Sequence, residues 1–373
     1  MTQLPTFDPG FSTSDMTAVF TSAATVAAMT EFESALALAL VDVGLAPEES
    51  GRAVAAACLE PLDNPDEIVA STWDTGTPVI ALNRALSARL DDDSVRWLHF
   101  GATTQDTVDT GRMLQCRSAL SLLEASAIRV ARDLKDFAVE HRDQPQMGRT
   151  FLQESRPTTF GARVAMWLAP LVEDVHDLRV CREGLMVQLG GPSGVLTDYG
   201  DRAADVVEAV ARRLSLKAPI ISWHTDRSPV WWLARAVETL ALGMGKIGTD
   251  LALLAGFGEV NVRAGGSSSM PGKRNPLDAI RARAAASACS GFASMITGVP
   301  PNELDRGVGG WHVEWLALPM LFQTAAAAVE AVEMAVASLE VNADVMAPNV
   351  EEPVVIDPRI IDGVLTRYEE VIG

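Results

Sequence analysis

Apolar residues recur at helical spacing along most of this chain. The clearest stretch is 107–139, where Val108, Leu114, Leu120, Leu123, Ile128, Val130 and Leu134 follow a near-helical period. Four more long segments read the same way: 160–185, 228–257, 275–296 and 311–341. Pro170 interrupts the first of these and predicts a local distortion, and Pro319 lies inside the last. Helices of about 25–30 residues reach about 40 Å, against a mean globular helix of about 11–12 residues. The expected fold is therefore all-α, a bundle of long helices. The Ala-rich stretch 324–335 has small side chains on more than one face, which predicts burial against several neighbours inside an oligomer. Residues 1–105 hold shorter helices and more breakers, 106–345 hold the long helices, and 346–373 is too short for an independent domain.

Composition narrows the picture. The 373 residues are 48% hydrophobic and 21% charged, an ordinary globular balance with a net charge of −19. Such a deficit of cations argues against a nucleic-acid or anionic-membrane binder, because neutralising phosphates needs clustered Lys and Arg. A few local cations can still bind a small anion. No uninterrupted run of eighteen apolar residues is present, so no membrane span is expected, and the first residues lack a secretory pattern. Cys58, Cys116, Cys181 and Cys289 are widely spaced and read as reduced thiols of a cytoplasmic protein. The five histidines show no zinc-binding spacing, so no metal site is expected.

Three polar segments stand before long helices and do not look like core. HFGATTQDTVDT (99–110) reads either as a capping segment or as an oxyanion site made by helix-start N–H groups and threonine hydroxyls. GRTFLQESRPTTFG (148–161) reads as a helix-entry turn, or as a grip on a planar anion by Arg149, Thr150 and Gln153. GGSSSMPGKRNP (265–276) is hydroxyl-rich, with a cation six residues after its first serine. A bare Gly/Ser linker has no need for the ordered Met-Pro-x-Lys-x-Asn that follows. Serine is a poor base at neutral pH unless its alkoxide is stabilised, and backbone N–H groups of a tight loop with a nearby Lys can do that. The GGPSG of 190–194 lacks the rest of a phosphate loop and reads as a turn.

Residues 266–276 match every fixed position of GSSxMPxKxNP, and the chain on this basis resembles the fumarase/aspartase superfamily. Within it the segments HFGATTQDTVDT, GRTFLQESRPTTFG, VQLGGPSG (187–194), SWHTDR (222–227) and WHVEW (311–315) look most like the carboxymuconate cycloisomerases. The resemblance covers about 15–345. It implies a twenty-helix core in a homotetramer, with active sites shared among subunits, and a third helical domain of which 346–373 would be a remnant. It implies catalytic roles for Ser267, as the residue that exchanges a proton with carbon, and for Lys273. It implies substrate binding by Thr103, Thr104, Thr150, Gln153, Asn275, Arg306 and His224, with no cofactor and a small polycarboxylate as substrate. Many relatives that cleave C–N or C–O bonds have histidine in RTHxQ, where this chain has Phe151. An amine or hydroxide leaving group needs a proton donor, whereas lactonisation by the substrate's own carboxylate does not. The implied reaction is therefore interconversion of 3-carboxy-cis,cis-muconate and 4-carboxymuconolactone. The alternative is elimination of an anion such as nitrite from a succinyl substrate to give fumarate. A helical tetramer kept as a structural protein is a third, non-enzymatic reading.

Overall fold

The computed structural model describes residues 10–270, 272–299, 302–347, 350 and 354–373. Its first part is built from short helices around one longer one: α1 (Ser14–Val19), α2 (Ser22–Asp42), α3 (Glu48–Leu59), α4 (Pro65–Ala70), α5 (Thr72–Thr75) and α6 (Val79–Ser87). Then come α7 (Thr104–Glu140), the hairpin β1 (Pro145–Thr150) and β2 (Gln153–Thr159), α8 (Phe160–Gly184) and α9 (Ala203–Leu214). The rest comprises α10 (Ser228–Gly256), β3 (Val260–Asn261), β4 (Ala264–Gly265), β5 (Asn275–Pro276), α11 (Leu277–Thr297), α12 (Gly310–Ala337), β6 (Glu340–Val341), α13 (Ala343–Met346) and α14 (Pro358–Val371).

The five long segments expected from periodicity are α7, α8, α10, α11 and α12, and their facing residues form one continuous apolar core. Buried leucines such as Leu120, Leu168, Leu240 and Leu321 each contribute about 1.5–3 kcal/mol of transfer free energy. Small residues set the spacing between rods. A Cβ on Gly248 of α10 would lie 2.8 Å from the Ala279 carbonyl oxygen of α11, so only glycine permits that approach. The Ala-rich part of α12 is buried within the chain itself, with Ala325, Ala327, Ala328, Ala331 and Ala335 all inaccessible. Both α8 and α12 continue through their internal prolines. The bundle begins where threonine hydroxyls cap: Thr21 accepts from the Ala24 N–H and Thr159 from the Ala162 N–H.

A second core packs α2 and α9 around Tyr199, and a third joins α2, α3 and α6 with the start of α12. In the tail, α14 lies on α8 through Ile361 and on the main core through Tyr368. Two helices, α2 and α12, reach the length and mean hydropathy of a membrane span. However, 67% and 72% of their apolar windows are buried in the bundle, as for core helices. All four cysteines are free, and burial pushes the thiols of Cys58, Cys116 and Cys289 up to about 12.

The sequence suggested helix-entry turns for 148–161, but the structure has a β-hairpin there, with Thr150 opposite Gln153. Phe151 and Leu152 at its tip both have positive φ, 52° and 63°, the conformation a two-residue hairpin turn requires. Helix α11 begins at Leu277 rather than Asn275, because Asn275-Pro276 pairs with Ala264-Gly265 as a two-residue ladder.

Candidate active site

The sequence-predicted residues fall at two ends of the bundle. Helix α7 has 37 residues and is therefore about 55 Å long. Helices α10 and α12 run with it: Arg227, just before α10, and Trp311, at the start of α12, both bond Asp109 of α7's second turn. Helices α8 and α11 return.

At the first end, Arg306 Nη1 donates to Thr103 Oγ1 at 3.0 Å, and Nη2 reaches the Pro192 carbonyl at 3.5 Å. Thr104 is the next residue, half-buried at the first turn of α7. Three stretches far apart in sequence thus meet here: the threonine pair, the GGPSG turn and the segment before α12.

The scaffold beneath them is a buried carboxylate, Asp106. Its oxygens accept the N–H of Thr103, Gly190 and Gly191, each at 2.9 Å. The Gln188 side chain adds a donor at 3.3 Å, and His224 Nε2 lies 2.7 Å away. So many donors compensate the removal of this charge from water. The turn requires glycine: Gly191 has φ of 67°, and a Cβ there would lie 2.8 Å from the Gly101 carbonyl oxygen. Gln188 also receives the Trp223 N–H at 2.9 Å, fixing the SWHTDR strand of chain. His224 is 2% exposed, so the structure places it as a clamp on Asp106 beneath the surface residues.

A second buried network lies one turn further on. Arg227 makes paired bonds to Asp109 at 2.7 and 3.1 Å and to Glu314 at 2.9 and 2.5 Å. Desolvation opposes its charge, but Asp109 and Glu314 outweigh burial and raise its pKa. Near Asp106, His99 Nδ1 lies 2.7 Å from Glu33 Oε1. Burial works against protonation of His99, while Glu33 favours it and the pKa is raised.

At the second end, the loop between β4 and β5 carries the signature residues, of which Pro271 lies outside the described residues. Ser267 Oγ accepts the Met270 N–H at 3.0 Å and the Ser269 N–H at 3.4 Å. A hydroxyl oxygen receiving two backbone N–H groups is stabilised as it gains negative charge. Asn275 Nδ2 donates to the Gly266 carbonyl at 3.3 Å, closing the loop across its base. Lys273 is exposed, and its backbone N–H meets the Met270 carbonyl at 3.2 Å. The β1–β2 hairpin stands at the same end. Arg149 pairs with buried Glu259, just after α10, and packs over the Phe257 ring at 4.4 Å. Gln146 donates to Glu259 at 2.7 Å. Arg149 is thus tied down one position before the hairpin tip, whereas Thr150 and Gln153 are exposed beside a fully exposed Phe151.

The structure therefore joins Thr103 to Arg306 and closes the serine loop with Asn275, but holds the two groups a bundle-length apart. Sequence reading missed Asp106, Gln188, Asp109 and Glu314 as the groups that shape the first end. An acidic residue three positions after Thr103 was a capping signal, but its glycine partners lie more than eighty residues away. Among the described residues no group of three or more His, Cys, Asp or Glu side chains could hold a metal ion.

A long-helix bundle with a serine loop at one end and a threonine–arginine cluster at the other defines a class. The chain belongs to the lyase family, whose model matches residues 11–291. Among its relatives is the 3-carboxy-cis,cis-muconate cycloisomerase of Pseudomonas aeruginosa, 38% identical over 354 residues, covering 92% of this chain and 77% of the relative. Another is the nitrosuccinate lyase of Streptomyces davaonensis, 34% identical, covering 90% of this chain and 74% of that protein. The crystal structure of the 3-carboxy-cis,cis-muconate lactonizing enzyme from Pseudomonas putida superposes with a TM-score of 0.86. It is 34% identical and covers 93% of this chain and 80% of its own.

Proposed function

We propose that this protein is a 3-carboxy-cis,cis-muconate cycloisomerase, acting in the cytoplasm as a homotetramer with composite sites. The observation that carries the reading is Ser267, whose oxygen accepts two backbone N–H groups within a loop that also presents Lys273. One substrate carboxylate adds to an alkene carbon and forms the lactone C–O bond. The alkene electron pair moves to the neighbouring carbon and delocalises into the carboxylate attached there. Lys273 and Asn275 stabilise that charge, and Ser267 delivers the proton to carbon. In reverse, Ser267 removes the proton as the carboxylate leaves. Atoms and electrons balance without a redox partner.

Thr103, Thr104 and Arg306 bind a carboxylate at the other face of the pocket, contributed by another subunit. The hairpin tip supplies Thr150 and Gln153, and Phe151 presents an apolar ring where the departing group is itself an anion. An amine or hydroxide leaving group would need a proton donor there.

Elimination of nitrite from nitrosuccinate is the second reading, favoured by the same apolar tip and by the Streptomyces davaonensis relative. Incubation with each substrate separates them. Loss of muconate absorbance with carboxymuconate, and none of the fumarate signal with nitrosuccinate, is the expected result. The reverse pattern would replace the first reading with the second.

A further inference from the structure

Behind the first end of the bundle lies a cavity of about 890 Å³ between α1, α2, α4, α7 and α12. Its walls are largely apolar, with Phe20 and Val108 among them, but three polar groups on them lack hydrogen-bond partners among the described residues. Arg112 of α7 touches the Phe20 ring at 5.7 Å and makes no hydrogen bond or ion pair. The Trp315 Nε1 and Gln323 Oε1 atoms of α12 are buried and unpartnered, and Gln323 is only 6% exposed. A buried polar atom without a partner costs about 1–3 kcal/mol, so the Trp315 and Gln323 atoms, with the unpaired Arg112 guanidinium beside the same cavity, describe a site that a ligand would complete.

The charges nearby set the ligand's chemistry. Burial holds the Arg112 guanidinium below its ordinary value, while Asp109 and Glu314 act the other way. Those two carboxylates are already bonded to Arg227, so they leave the Arg112 donors unmet. Asp66 also lines the cavity, so a ligand with more than one negative charge meets a repulsion that the single Arg112 cation does not offset. A guanidinium fork and an indole N–H both donate to a carboxylate, and the Gln323 carboxamide can turn its NH₂ to the same group. The cavity lies within the usual size range of small-molecule sites, about 300–1,000 Å³.

We infer that this cavity is a second ligand site, which takes a small monocarboxylate with an aromatic or short aliphatic body. Arg112 is eight residues beyond Thr104, about 12 Å along α7, so the ligand sits behind the first end of the bundle rather than in it. The inference does not depend on which reaction the protein catalyses.

Benzoate is the probe, with benzyl alcohol as its neutral counterpart, followed by titration calorimetry on the full chain. Benzoate should bind saturably, one per chain, and at least tenfold more tightly than the alcohol. Arg112→Met should weaken benzoate at least tenfold and leave the alcohol unchanged, while Lys273→Met should leave benzoate unchanged. Gln323→Leu and Trp315→Phe serve as second variants, each checked by its unfolding midpoint, should Arg112→Met fail to fold. Benzoate binding that is absent, unaltered by these cavity variants, or lost with Lys273→Met would overturn the inference.

Discussion

The two ends of the bundle are built on opposite principles. At the first, polar residues are buried and bonded to one another: Asp106 collects backbone and side-chain donors, and Arg227 is locked between Asp109 and Glu314. At the second, Thr150, Gln153 and Lys273 are exposed, and Phe151 has no cover at all. The difference teaches where pre-organisation comes from. The first end is rigid before any partner arrives, because removing either member of a buried ion pair strands the other. The second end has local order only, in the two N–H groups on Ser267 and the short ladder below it. A pocket using both needs the second end of one chain against the first end of another.

The strongest way to break this comparison is to inactivate the ends separately and then combine them. Ser267→Ala should lower turnover about 10³-fold by removing the proton-transfer group, and Arg306→Met about 10²-fold by removing a carboxylate donor. Neither should shift the unfolding midpoint appreciably. Refolding the two variants together should restore activity well above either alone, since mixed assemblies contain pockets that carry neither change. Mixed samples no more active than the separate variants would mean that one chain supplies both groups.

A smaller effect sharpens the claim of rigidity. Arg227→Met should cost about 3–5 kcal/mol in denaturant unfolding, because it leaves Asp109 and Glu314 buried together without a cation. Lys273→Met, at the exposed end, should cost almost nothing. Equal losses would erase the distinction.

The smallest effect is in pH dependence. The pKa of His99 is raised in the folded state, so its pairing with Glu33 stabilises the fold fully below the unfolded value of about 6.5. That contribution fades as pH rises through the higher folded value. Unfolding free energy should thus decline from pH 6 upward more steeply in the native protein than in His99→Gln. Parallel pH profiles for the two would remove His99 from the rigid end's electrostatics.

The long helices were legible because Ala, Leu, Glu and Arg favour helix and their apolar members repeat at its period. The hairpin was not, since β1 and β2 are mostly polar, contain prolines and lack alternation. Two left-handed residues at Phe151 and Leu152 and the anchor of Arg149 on Glu259 hold it, and neither leaves a local sequence mark. Ser267, Lys273 and Asn275 stood out through an ordered motif. The bond between Arg306 and Thr103 joins residues about two hundred positions apart, and no spacing rule reaches that far. Asp106 shows the same limit: its role is defined by glycines brought in by the fold.

The ladder under the serine segment has just two paired positions, Ala264 with Pro276 and Gly265 with Asn275. So slight a fastening costs little to open, whereas the rods on either side are packed through the main core. In the proposed reaction, admission of substrate and expulsion of water would be governed by a small local equilibrium, separate from the cohesion of the bundle. Evolution can tune how fast such a gate swings without loosening the frame in which it hangs.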